Sequence, residues 1–279
     1  MSNRQDQTAT DGSVAAQAGR DVNIHKHGLE LADVKELVEL FLGVHLPSLR
    51  AEAAAIAREN ANAFLKEFVE RLSKPNKATQ SAFSKPDSQA CFNTALIGSA
   101  EKGGQVDMGL LAEMVLRRLE AEDDPLLKLV CEEAVRVMPK IGRTHIAFLA
   151  FIQYTKHVRH TAFNELSQLE ATASLVLPVV QPGLALSGPN QEYLASIGVL
   201  TINPVSDANL VFESMQKNYP FFPKSPQELE ATAPSISRLI DAFGKCGAPT
   251  VHLTSIGKLI GMLSLEKALG KVSLSVWVH

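Results

Sequence analysis

Residues 250–279, TVHLTSIGKLIGMLSLEKALGKVSLSVWVH, change hydrophobic period twice. Val251 and Leu253 flank a polar position. Ile256, Leu259, Ile260 and Leu263 then recur at three- and four-residue steps, and Val272, Leu274, Val276 and Val278 return to alternation. Alternation puts successive side chains on opposite faces of a strand, whereas steps of three and four gather them on one helical stripe. The stretch therefore predicts strand, helix, strand. Thr254 or Ser255 offers a side-chain oxygen to cap the helix, and Gly270 suits its C-terminal end. Gly257 and Gly261 fall inside the helix, where each costs about 1 kcal/mol against alanine. A neighbouring backbone is expected to come close there. The apolar faces of such a unit need the rest of the chain to cover them.

Upstream the dominant period is helical. Val34, Leu37, Val38 and Phe41 form one stripe before Gly43 and Pro47. Ala53, Ala57, Ala61, Phe64, Phe68 and Leu72 form a longer one, predicting a helix over 48–72 with Glu67 and Arg71 as an exposed pair. Prolines and glycines punctuate 74–104, leaving a short helix over 88–96. Asp107 caps a helix over 108–120, and Asp124 with Pro125 opens the next, in which Cys131 falls on the apolar stripe. Thr144 is expected to cap 145–157, which is apolar around most of its circumference and so central. Further helices are predicted over 162–176, from Asp207 to Lys217, and from Ser225 to about Phe243, with Glu228 completing a capping box. Residues 199–202 read as a strand.

The fold class that results is mainly α, with a helical-bundle body and a small C-terminal sheet of about three short strands. The pieces 193–202 and 251–260 resemble a winged-helix element split by an insertion of some forty-five residues. The chain divides into a leader (1–28), a helical domain (29–186) and a C-terminal α+β subdomain (187–279).

The leader stands apart in composition. It is rich in Ser, Thr, Gln, Asn, Asp and Gly. Within GSVAAQAGRDVNI, Val14, Ala16, Val22 and Ile24 lie on alternate positions either side of a turn containing Gly19, Arg20 and Asp21. One such hairpin is marginal in water. Stacked copies from several chains would repeat the backbone pairing and build ladders of Gln17 and Asn23. Val14, Gln17, Gly19, Arg20, Asp21, Val22, Asn23 and Ile24 are the self-assembly candidates, set against a reading of 1–28 as a solvated tail.

Hydrophobic residues make up 46% of the 279, ample for a core, and the net charge of −3 supplies no global field toward nucleic acid. Cys91, Cys131 and Cys246 are widely spaced and odd in number, which supports neither a disulfide framework nor a zinc knuckle. With a polar N-terminus lacking the apolar core of a signal peptide, this predicts a cytoplasmic chain. His157 and His160 are the nearest approach to metal-ligand spacing. Without a third ligand they read as cations at a helix C-terminus, so no metal and no cofactor is expected. No phosphate-loop, nucleophile-elbow or zinc-protease motif occurs. An enzyme or toxin would have to assemble its site from distant residues, with His145, His157, His160, Glu132 and Glu133 first in line. A membrane-acting effector would use the apolar segments 145–154 and 175–180.

Three segments, QAGRDVNI, ARENANAFLKEFVERL and LTSIGKLIG with the closing LSVWVH, resemble an uncharacterised bacterial family of about this length. LTSIGKLIG is also similar, more loosely, to the C-terminal part of abortive-infection proteins of the Abi-alpha type. QAGRDVNI, present here once, resembles short segments on bacterial immune and signalling proteins, some of them amyloid-like assembly motifs. The resemblance implies a non-enzymatic interaction or effector protein linked to phage defence or stress signalling. It would be recruited or oligomerised through 12–24. Its partner would be another copy or a protein with a matching N-terminal segment. Residues 191–203 carry no Lys or Arg, so nucleic acid is not expected as a partner, and membrane contact is expected only on activation.

Overall fold

The computed structural model describes residues 38–39, 51–73, 80–121, 123–203, 210–271 and 274. The leader, with Val14, Gln17, Gly19, Arg20, Asp21, Val22, Asn23 and Ile24, lies outside them, as does the expected strand over 272–278 apart from Leu274.

The alanine and phenylalanine stripe builds α1 (Ala51–Leu72). Its Phe64 and Phe68 sit 5.7 and 5.1 Å, centroid to centroid, from Phe92 on α3 (Pro86–Lys102), and Phe83 at the end of α2 (Gln80–Phe83) meets Phe92 edge-on at 5.4 Å. Edge-on and tilted contacts of this kind suit the ring quadrupoles. The helix α3 is longer than the expected 88–96, because Gly98 is not a breaker. A side chain on Gly98 would overlap the Pro139 ring, so this glycine marks a close crossing within the helix. Asp107 and Asp124 cap α4 (Met108–Glu120) and α5 (Pro125–Val137), accepting from the Leu110 and Leu127 N–H groups at 2.9 and 3.0 Å. Cys131 is fully buried on α5.

Every residue from Ile146 to Tyr154 on α6 (Arg143–His157) is buried, so this helix is central, as its all-round apolarity predicts. Its cap differs from the expected Thr144. Gly142 occupies the cap position and its N–H donates to His145 Nδ1 at 3.2 Å, so the imidazole three residues on takes the part that a Glu or Gln plays in a capping box. The next helix, α7 (Leu166–Val180), begins and ends four residues later than expected. It carries Pro178 in its last turn and leads through a 3-10 turn, Gln181–Gly183, to α8 (Gly188–Ser196).

Among the described residues the sheet pairs β1 (Leu200–Ile202) with β2 (Val251–Leu253), antiparallel, with Leu200 opposite Leu253 and Thr201 opposite His252. Between the strands the chain makes an excursion through α9 (Leu210–Asn218), α10 (Pro226–Thr232) and α11 (Pro234–Lys245). The single helix expected from Ser225 to Phe243 is two helices. Pro234 cannot continue a helix and moves Ala233 out of the helical region, to φ −146° and ψ 71°, so α10 ends and α11 starts there. Ser225 does cap α10, and Glu228 reaches back to the Lys224 N–H at 3.1 Å.

The closing helix, α12 (Ser255–Leu269), is capped by Thr254 and lies along α6. Its two internal glycines are where backbones meet. A Cβ on Gly261 would lie 2.7 Å from the Leu149 carbonyl oxygen and 2.9 Å from Gln153 Cβ, and one on Gly257 would overlap the Val199 oxygen. Ionic contacts join α12 to the rest. Arg117 reaches Glu266 at 3.0 Å and Glu113 at 2.9 Å, and Glu113 also meets Arg71 on α1 at 3.5 Å. One apolar cluster runs from Val38 to Leu274 through all of these elements.

Candidate functional site

Two open concavities flank one helix. α11 buries Ile236, Leu239 and Phe243 and turns Arg238, Asp241 and Lys245 outward. On one side lies a cleft of about 700 Å³, with Leu184, Leu186 and Ala242 among its apolar lining and Ser187, Glu230 and Arg238 among its polar lining. On the other lies a cleft of about 450 Å³ lined in part by Phe212, Leu229 and Ile240. Ser237, Asp241 and Lys245 border both.

Two polar side chains, the buried Gln191 and the half-buried Glu170, fix this ridge. Gln191 Nε2 donates to the Leu186 oxygen at 2.9 Å and to the Cys246 oxygen at 2.6 Å, stitching the two walls of the larger cleft together. Glu170 on α7 accepts from the Ser235 and Ile236 N–H groups at 2.9 and 3.1 Å, and so caps α11 from another helix. A carboxylate is well placed there, because a helix N-terminus presents unpaired N–H groups and a partial positive charge. Among the described residues, Glu230, Arg238, Asp241 and Lys245 take part in no ion pair. This contrasts with Arg71, Arg117, Arg118 and Arg136, which are all paired.

The residues singled out for catalysis do not converge. His145 Nε2 stands 2.9 Å from Asn190 Oδ1, which makes it the protonated nitrogen, since Nδ1 accepts from Gly142. His157 closes the same helix, about 18 Å farther along the axis at 1.5 Å per residue. His160 stacks on Phe163 at 4.5 Å. Glu133 pairs with Arg136 on the exposed face of α5. Glu132 accepts from Arg118 Nε at 2.6 Å, and Arg118 also holds Asp87 at 2.6 Å. Burial disfavours the Arg118 cation, but Glu132 and Asp87 outweigh it and hold its pKa up. Among the described residues no group of three His, Cys, Asp or Glu side chains is placed to hold a metal ion.

Cys131 is a core residue, as its place on the apolar stripe predicts, and Cys91 joins it. Burial pushes the Cys91 thiol up to about 12 and the Cys131 thiol higher still, so both are packing groups at neutral pH. Lys156 reaches the Pro249 and Val251 oxygens at 2.9 and 2.6 Å and lies 5.5 Å from the centre of the Phe243 ring. Burial pushes its ammonium down to about 8. Among the described residues no single helix is long and apolar enough to cross a membrane. The pair 166–183 and 188–196 has the length and composition together but is bent by 90°.

A family model for an uncharacterised family matches residues 28–230. No curated protein and no solved structure matches the chain.

Proposed function

The chain belongs to the uncharacterised family matched over residues 28–230, and on that premise we propose that it is a non-catalytic bacterial interaction protein acting in phage defence or stress signalling. Segment 12–24 is its assembly element. The ridge of α11 is the face on which the assembled partner rests a polypeptide segment. The observation that carries this reading is the pair of clefts either side of α11. They have apolar floors and a line of unpaired, alternating charge at Arg238, Asp241 and Lys245. An open, half-apolar groove with a polar rim suits an extended or helical segment better than a small molecule, which needs to be enclosed over most of its surface. Light scattering on full-length protein and on the full-length double variant Val22→Asp, Ile24→Asp tests the assembly role. The expected result is an oligomer for the first and a monomer for the second. Equal masses remove 12–24 from the reading.

A further inference from the structure

The crossing of α6 and α12 fixes what lies beyond it. Leu149 and Gln153 meet Gly261, and Gln153 Nε2 also stands 3.8 Å from Met262 Sδ. One turn on along α6 is His157. One turn back along α12, which runs the opposite way, is Lys258. Lys156, beside His157, bonds the Val251 oxygen on β2, and His252 follows it. Three separate elements carry Lys156, His157, His252 and Lys258, and the charges of Lys258, Lys156 and His252 all bear on His157. Among the described residues none of the four is ion-paired to a carboxylate. Lys156 spends two of its three N–H groups on carbonyls and lies 5.5 Å from the centre of the Phe243 ring, with its charge uncompensated by a carboxylate.

Such a gathering is costly without a counter-charge. Burial first, then Lys258, Lys156 and His252, holds the His157 imidazole down to about 4. These groups are therefore poised to gain from an anion, which would offset the mutual repulsion and let the ring take up a proton.

We propose that Lys156, His157, His252 and Lys258 form a binding site for a phosphoryl oxyanion carried by a small soluble molecule. Lys258 meets the anion's oxygens, Lys156 adds its charge, His252 offers a ring N–H, and His157 donates once protonated. The site is separate from the α11 ridge and stands or falls independently of the interaction reading.

Calorimetry with inorganic pyrophosphate on the full-length protein at pH 6.5, in two buffers of different ionisation enthalpy, tests it. The expected result is saturable binding with net proton uptake. In the same samples, the NMR titration midpoint of His157 rises by about one unit or more. Lys258→Gln, at a half-buried position, and His252→Gln, at an exposed one, each weaken binding about tenfold, the loss expected for one charge-assisted hydrogen bond. Arg238→Gln leaves it unchanged. Three results overturn the proposal: no saturation at millimolar pyrophosphate, equal weakening by Arg238→Gln, or binding to vesicles of anionic phospholipid with none to pyrophosphate. Unchanged thermal midpoints for the variants tie any loss to the site and not to folding.

Discussion

The carbonyl oxygen of Val199 occupies the space that a side chain on Gly257 would need. The same oxygen accepts the Thr254 N–H at 3.2 Å, so it is anchored to the turn that starts α12 and cannot retreat. Gly257→Ala is expected to destabilise the protein by about 1–3 kcal/mol through overpacking, although alanine favours a helix by about 1 kcal/mol. Gly261→Ala, facing the Leu149 oxygen at 2.7 Å, is expected to cost less. Urea midpoints of the two variants give the comparison, and a stabilised Gly257→Ala protein would refute the packing described.

Arg118 is the most deeply placed ionic group of the body, its side chain only 3% exposed between Glu132 and Asp87. Removing one partner of a buried pair strands the other, at a cost of about 3–5 kcal/mol. Arg118→Ala is expected near that range. Asp87→Asn is expected under about 1 kcal/mol, because Asp87 is 57% exposed and water replaces what it loses. Equal unfolding free energies for these two variants would mean that Arg118 is solvated.

Glu170 fastens α7 to α11 through two backbone N–H groups. Replacing a capping acceptor by alanine costs about 0.5–2 kcal/mol. Glu170→Ala is expected to fall in that range and Glu170→Gln nearer its lower end, since the amide oxygen still accepts. Hydrogen exchange locates the effect: protection should drop at Ser235 and Ile236 before it drops in α6.

The pH dependence has a definite sign. His157 ordinarily titrates at 6.5 but is held at about 4 in the folded protein by burial and then by Lys258, Lys156 and His252. As pH falls below 6.5 the unfolded ring takes up a proton while the folded ring does not. Stability therefore declines between pH 6.5 and 4 and levels off below. His160 is shifted the same way by burial and adds to the decline. His157→Gln should flatten part of the wild-type slope in that window when unfolding free energies are compared. An unchanged slope would contradict the burial of the ring.

Cys246 borders the larger cleft, whereas Cys91 and Cys131 lie in the core. A thiol reagent is expected to label Cys246 first in the native protein, and the other two only at the rate of unfolding. Occupation of the α11 ridge by an assembled partner should slow the labelling of Cys246, which mass spectrometry follows as the protein is diluted through its assembly transition.

Local signals carried far into this fold. Asp107, Asp124, Ser225 and Thr254 cap the helices they precede, and Gly270 ends α12 with φ near +80°. The two glycines of α12 announced a close approach, and the described structure supplies the carbonyls of Val199 and Leu149. What the sequence could not convey is pairing between distant positions. Nothing near Arg118 foretells that it turns inward to Glu132 and Asp87. Nothing near Pro234 says that a carboxylate sixty-odd residues upstream will cap its helix. Gly98 looked like punctuation because a breaker and a contact glycine are the same letter. The meeting of Lys156, His157, His252 and Lys258 likewise depends on the crossing of α6 and α12, which no spacing along the chain encodes.

The hydrogen bond from the Asn203 N–H to the Thr250 oxygen, 2.8 Å long, shuts the gate through which α9, α10 and α11 leave the body and come home. A stretch whose departure and return share one doorstep can lengthen, shorten or be rewritten while the strands on either side keep their register. The outward face of α11 is thus the part of this architecture freest to be re-tailored as its counterpart changes, with α6 and α12 left as they are.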